Sequence, residues 1–187
     1  MTLRTADEYK EGLKDGRTAY MLGKKIPDVT EDPYLKVGVE TGAQDFVMAD
    51  EPEYRDLSVI QDPETGEDIS RFFELPDYKE QIRKRFELVL AGGRYDSGEF
   101  IPYIKDVGTD ALNALYVVSN MMGDKKYIER IRNYRNMCAR KDLSMALAMT
   151  DVNGDRSKGP LGQAHKDYYV HVVEENKDEI VVKGAKA

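Results

Sequence analysis

Apolar residues recur at helical spacing through most of the first 142 positions and then shift toward alternation. Thr5 and Glu8 stand three apart, the spacing at which each side chain satisfies a backbone N–H at a helix start. Tyr9, Leu13, Gly16 and Tyr20 follow in helical register, which predicts a first helix running to a stop at Gly23. Its aromatic stripe is expected in the core or at a subunit contact. Pro27, Asp28 and the Asp32-Pro33 step mark a turn. A second helix is predicted over Leu35 to Ala49, with Val39, Ala43, Phe46 and Val47 inward and Asp50 and Pro52 ending it. Val59-Ile60 and Ile69 to Phe73 flank Asp62-Pro63-Glu64-Thr65-Gly66 as a loose hairpin.

Asp77 and Glu80 make a second cap pair, and Ile82, Phe86, Val89 and Leu90 define one face of the helix that follows. Arg83-Lys84-Arg85 within it reads as a solvated face. Gly92-Gly93 and Tyr95-Asp96-Ser97-Gly98 break the pattern. The stretch from about Tyr103 to Met122 is apolar on more than one face, which predicts a central buried helix. Gly123-Asp124 stops it and caps a further helix with Tyr127, Ile128, Ile131, Tyr134 and Cys138 inward. Leu143 to Met149 is a short apolar run of strand length, and Asp151 to Gly159 has loop chemistry. Tyr168 to Val173 and Glu179 to Lys183 read as strands joined by Asn176-Lys177-Asp178. Helices first and strands after give an α+β class, with a helical domain over 1–142 and a β unit over 143–187. Three strands cannot close a barrel. The run Ile180 to Lys183 is therefore expected to be covered by more of the same chain, in which case these residues begin a longer protein, or by another subunit.

Composition narrows the partners. A chain of 187 residues is one or two domains, ample for a packed core. A net charge of −7 argues against nucleic acid or an anionic membrane as the main partner. No apolar run approaches transmembrane length, and no signal-peptide pattern opens the chain. The lone Cys138 excludes an intrachain disulfide and fits a reducing compartment, so a cytoplasmic protein is expected. With only His165 and His171 beside it, no zinc cluster is expected.

The densest chemistry lies in Ala148-Met149-Thr150-Asp151-Val152-Asn153-Gly154-Asp155-Arg156. A hydroxyl, carboxylates, a guanidinium and loop backbone N–H groups within a few residues can grip a heterocycle edge and a phosphate. The same residues also fit an ordinary strand-to-loop connection with a solvated Asp and Arg. The wider sequence bears on that choice. This stretch, Gln163-Ala164-His165-Lys166-Asp167, and the ending Ile180-Val181-Val182-Lys183-Gly184-Ala185-Lys186-Ala187 occur in the order of one family. So do Ala6-Asp7-Glu8-Tyr9, Tyr20-Met21-Leu22-Gly23-Lys24-Lys25-Ile26, Asp32-Pro33 and Val107-Gly108-Thr109-Asp110-Ala111. Together they resemble the flavoproteins that include 4-hydroxyphenylacetate 3-hydroxylase and 4-hydroxybutyryl-CoA dehydratase.

The resemblance implies an acyl-CoA dehydrogenase-like fold: a helical domain, a middle β-barrel begun at 143–187, and a helical bundle, assembled as a homotetramer. It implies FAD as cofactor, with Met149, Thr150 and Asp151 facing the isoalloxazine and Gly154, Asp155 and Arg156 ordering the loop or approaching the phosphates. In the hydroxylase branch it implies a phenolic acid substrate, a separate flavin reductase, and a substrate-binding Arg and Tyr. Arg94 after Gly93 and Tyr103 match these two, at longer spacing than the family's. That branch's His falls at Leu147, which cannot donate a hydrogen bond to a phenol, so 4-hydroxyphenylacetate itself is in doubt as substrate. The dehydratase branch, acting on an acyl-CoA, holds an iron–sulfur cluster on two cysteines that fall here at Pro102 and Asp106. Neither is a thiolate ligand. Yet the loop lacks the hydroxylases' Pro-Pro pair and is worded closer to the dehydratases. A third reading is a non-catalytic helical module that assembles with a partner chain.

Overall fold

A reciprocal cap sets the first helix. Thr5 Oγ1 accepts from the Glu8 N–H and Glu8 Oε2 accepts from the Thr5 N–H, at 3.2 and 2.8 Å. Helix α1 then spans only Ala6–Gly12 in the computed structural model, which describes residues 3–95 and 104–186. The expected continuation to Gly23 is replaced by a hairpin, β1 (Ala19–Met21) against β2 (Lys24–Ile26). Leu22 and Gly23 both adopt positive φ, 50° and 78°, the backbone that a two-residue hairpin turn demands. Tyr9 and Leu13 thus belong to a helix and its end, whereas Tyr20 sits on a strand and is exposed.

The chain forms two compact units, residues 1–146 and 147–187, each described by itself. In the first, α2 (Leu35–Asp50) buries Val39, Ala43 and Phe46, with Tyr9 stacked on Phe46 at 4.9 Å between ring centroids. Pro52 starts a short helix that the sequence reading missed, α3 (Pro52–Ser58). Strands β3 (Val59–Gln61) and β4 (Asp68–Ser70) form the expected antiparallel hairpin, and a 3-10 turn over Arg71–Phe73 follows. Its two phenylalanines diverge: Phe72 joins Met48 and Leu88, while Phe73 joins Ile69, Cys138 and Ala139. Each such burial contributes about 1.5–3 kcal/mol.

Helices α4 (Lys79–Tyr95), α5 (Asp106–Met122) and α6 (Lys125–Arg140) complete this unit. Gln81, rather than Glu80, closes the start of α4, its Oε1 accepting from the N–H groups of Asp77 and Tyr78. Gly92-Gly93 does not interrupt α4, which continues to Tyr95. Of the expected apolar face, Val89 packs on the Met48, Phe72 and Leu88 cluster, whereas Ile82, Phe86 and Leu90 are exposed. Helix α5 is not enclosed either: Leu115, Val118, Met121 and Met122 face outward, while Gly108, Thr109 and Leu112 pack inward. In α6, Tyr127 and Tyr134 are exposed and the charged Arg135 is buried.

Arginines replace the missing apolar contacts. Arg85 reaches the Phe72 carbonyl, Asp106 Oδ1 and Thr109 Oγ1 at 2.8, 2.9 and 2.8 Å, so only Arg83 and Lys84 of that run are solvated. Arg135 pairs with buried Asp62 and donates to the Phe73 carbonyl at 2.6 Å. The run Leu143 to Met149 forms no strand. Leu143 and Met145 pack on the Phe73 cluster, and the Met145 N–H donates to the Ile104 carbonyl at 2.9 Å. A Cβ on Gly108 would stand 2.4 Å from Met145 Cβ, so this approach requires glycine.

In the second unit, β5 (His171–Glu175) pairs antiparallel with β6 (Ile180–Lys183), with a register shift between Val172 and Glu174. An isolated bridge joins Asp151 to Lys186. No helix among the described residues is long and apolar enough to cross a membrane.

One buried acid gives the first unit a pH signature. Asp45 is buried, and its Oδ2 has no hydrogen-bond partner among the described residues. Burial pushes its pKa from 3.8 up to about 7, against the pull of Lys105. Between these values the folded state holds a proton that the unfolded chain has released, so stability falls as pH rises through that window. The urea midpoint should therefore drop between pH 5 and pH 8. Asp45→Asn should flatten that slope, and an unchanged slope in the variant would assign it to other groups.

Candidate functional site

The six loop residues singled out in the sequence lie in one stretch of the second unit. Leu147 through Thr150 run without regular structure and with exposed side chains. Lys186 clasps this run: its Nζ lies 2.5 Å from Asp151 Oδ1 and donates to the Met149 carbonyl at 3.3 Å. Thr150 keeps its hydroxyl free of hydrogen bonds among the described residues. Gly154 allows a close approach, since a Cβ there would lie 2.6 Å from Gln163 Oε1 and 3.0 Å from the Tyr169 ring.

The turn after Gly154 satisfies itself. Asp155 Oδ1 accepts from the Ser157 N–H and hydroxyl at 3.1 and 2.6 Å, and Oδ2 lies 3.0 Å from Lys158 Nζ. The Ser157 bonds, then Lys158, hold the Asp155 carboxyl below its ordinary range. Gln163 Oε1 accepts from the Asp155 N–H at 2.8 Å, and its Nε2 donates to the carbonyls of Asp155 and Lys158 at 2.8 and 3.0 Å. Arg156 makes no hydrogen bond or ion pair among the described residues. It lines an open cleft of about 410 Å³ with Asp151, Lys158, Tyr169 and Lys186. Tyr169 is buried, and its hydroxyl has no hydrogen-bond partner among the described residues.

The cleft therefore combines two cations that already have carboxylate partners with one that does not. Such a donor set suits an anionic group, because an unpaired guanidinium offers a planar fork of N–H donors. Asp151 and Arg156 line it, while Met149 contributes a carbonyl to the Lys186 clasp. Arg94 occupies the last turn of α4 and is exposed, where a cation complements the helix dipole. Tyr103 and Pro102 lie outside the described residues. Asp106 ties α5 to α4 through Arg85. Among the described residues no group of three or more His, Cys, Asp or Glu side chains is placed to hold a metal.

Sequence reasoning gave no role to Gln163, Lys158, Tyr169 or Lys186. Gln163 acts across eight residues and Lys186 across 35, so neither follows from local spacing. The signal for these two was their presence in the Gln163–Asp167 and Ile180–Ala187 runs.

Comparison with known proteins adds a second line. The chain matches the family described as 4-hydroxyphenylacetate 3-hydroxylase N terminal over residues 5–187. It is 31% identical over 189 residues to 4-hydroxybutyryl-CoA dehydratase/vinylacetyl-CoA-Delta-isomerase of Clostridium aminobutyricum, covering 99% of this chain and 38% of that protein. It is 28% identical over 186 residues to the 4-hydroxyphenylacetate 3-monooxygenase oxygenase component of Thermus thermophilus, covering 98% of this chain and 37% of that protein. A solved structure of such an oxygenase component, complexed with FAD and 4-hydroxyphenylacetate, superposes with a TM-score of 0.82 at 26% identity, over 98% of this chain and 38% of that one. The chain thus spans well under half the length of the relatives it matches.

Gly184 tests how the clasp is held. Its φ is 138°, and a Cβ would stand 2.4 Å from the Tyr169 carbonyl oxygen, a backbone atom that cannot swing away. Gly184→Ala should cost roughly 2–4 kcal/mol of stability in the second unit, from backbone strain and overpacking together. Hydrogen exchange at the Ala185 N–H, which donates to the Tyr168 carbonyl, reports it. Unchanged protection there would show that the approach is not required.

Proposed function

The chain belongs to the 4-hydroxyphenylacetate 3-hydroxylase family, and on that premise we propose that it is the N-terminal portion of an FAD-dependent monooxygenase acting on a phenolic substrate. The observation that carries the reading is Arg156, unpaired in a cleft beside the loop that resembles the family's cofactor loop. The donors present fit a phosphorylated cofactor. Arg156 is available to hold a phosphate, and Thr150 offers an unused hydroxyl to a ring edge. FAD, when bound, supplies the redox chemistry. This chain's residues bind and orient it, with Met149, Thr150 and Asp151 toward the ring and Gly154, Asp155 and Arg156 shaping the phosphate side.

On this reading residues 1–142 are the helical domain and 143–187 begin the middle β-barrel of an acyl-CoA dehydrogenase-like fold. Arg94 and Tyr103 bind the substrate. The whole protein works in the cytoplasm as a homotetramer and takes reduced flavin from a separate reductase. A second reading, an enzyme acting on an acyl-CoA, is supported by the 31% identity to the dehydratase. Against its cluster chemistry stands Asp106, whose carboxylate pairs with Arg85 at the position expected for a thiolate ligand. Turnover assays of the full-length protein with phenols and with acyl-CoA esters separate the two.

Titration of FAD into variants tests the loop. Thr150→Val keeps shape and removes one hydrogen bond, so it should weaken affinity by about 0.5–1.5 kcal/mol. Arg156→Ala should cost about 1.5–3 kcal/mol if the guanidinium holds a phosphate. Both side chains are exposed, so neither change should shift the helical signal. Unaltered affinity in both would place the flavin elsewhere.

A further inference from the structure

We infer that Gln163 is a positioning residue for the cofactor loop, acting through Arg156; the inference rests on the flavin reading above. A half-buried amide here does the work of a short ladder. Its oxygen takes the Asp155 N–H, and its nitrogen serves the Asp155 and Lys158 carbonyls. These bonds, with a longer one from Nε2 to the Gly159 carbonyl at 3.4 Å, close residues 155–159, with Arg156 carried between the anchored ends. An amide is required, since a carboxylate would offer no donors to the two carbonyls and an ammonium no acceptor to the N–H.

Two neighbouring features make the closure specific. Gly154 has no Cβ, and one would collide with Gln163 Oε1 at 2.6 Å, so the amide occupies the space that a side chain would fill. Asp155, the nearest carboxylate in sequence, is engaged by Ser157 and Lys158 and makes no ion pair with Arg156 among the described residues. Gln163 fixes the Asp155 backbone on both its N–H and its carbonyl, which keeps that carboxylate in its turn. Without the amide, Asp155 is released to pair with Arg156 and quench the cleft cation that has no carboxylate partner among the described residues. The loop then loses the order and the charge of its anion donor together.

Gln163→Met in the full-length protein keeps length and removes all of these side-chain bonds. FAD affinity should fall about tenfold, and trypsin should cut after Arg156 about tenfold faster, with the thermal midpoint of the helical region unmoved. The same substitution in an Arg156→Ala background should change FAD affinity less than about twofold, because a residue acting through Arg156 has nothing left to position. Equal losses in both backgrounds would overturn the inference, as would an unchanged trypsin rate. A wild-type protein that binds no FAD would overturn the flavin reading instead, and the trypsin rates alone would then decide whether Gln163 sets the conformation around Arg156.

Discussion

The first unit depends on one buried ion pair. Lys105 Nζ lies 2.7 Å from Asp142 Oδ1, and both side chains are 1% exposed. Such a pair stabilises only when the remaining polar atoms are met as well. Around it the Arg4 N–H donates to Asp142 Oδ2 and Arg4 Nε to the Asp142 carbonyl, while Lys105 Nζ also sits 4.0 Å above the Phe46 ring; Asp142 Oδ1 itself meets Lys105 as an ion pair, without a hydrogen bond among the described residues. The pair thereby ties the segment before α1, the start of α5 and the exit from α6 to the central aromatic of α2. Removing either partner would strand a buried charge, a loss of about 3–5 kcal/mol.

Asp142 also bends the chain. Its φ of 44° is a left-handed conformation that aspartate tolerates better than most side chains. The Leu143 N–H then returns to the Cys138 carbonyl at 3.0 Å, closing α6. Beyond this turn the chain is extended, with Leu143 and Met145 packed and Ser144 and Ala146 exposed. The run looked like a strand because it is apolar and of strand length. Period-two burial reports an extended backbone packed on one side, and a strand requires in addition a neighbour for its N–H and C=O groups. The Met145 N–H finds the Ile104 carbonyl, and no ladder forms.

Local chemistry was legible where a few adjacent residues decide the outcome. The Thr5–Glu8 cap, the helix at Leu35, the hairpin around Asp62–Gly66, the Gly123-Asp124 stop and the Asn176–Asp178 turn all appear. The Leu22-Gly23 turn did not show itself, because Tyr9, Leu13 and Tyr20 happen to fall in helical register. Burial was less legible than periodicity. Ile82, Phe86 and Leu90 form a helical stripe, yet the arginine that follows Lys84 packs inward and they do not. In the site, the residues that contact a ligand on the proposed reading were visible as a run of donors. The residues that hold them, Gln163 and Lys186, are set by tertiary contacts that no spacing rule encodes.

The electrostatics of the second unit bear on what the loop can accept. Asp155 is matched by Lys158, Asp151 by Lys186, and Asp167 by Lys183 at 2.8 Å. Lys183 holds the Asp167 carboxyl below its usual range, so this pairing persists through neutral pH. Once these pairs are matched, Arg156 remains as the cleft's charge without a partner among the described residues. A net charge of −7 over the chain works against long-range capture of an anionic ligand, so selectivity for one falls on short-range contacts. A guanidinium free of partners among the described residues meets that need, because it can bind a phosphate without first breaking an ion pair. The same logic separates Arg156 from Lys158 and Lys186: the lysines are engaged by the loop's carboxylates, and on the proposed reading the arginine contacts the ligand.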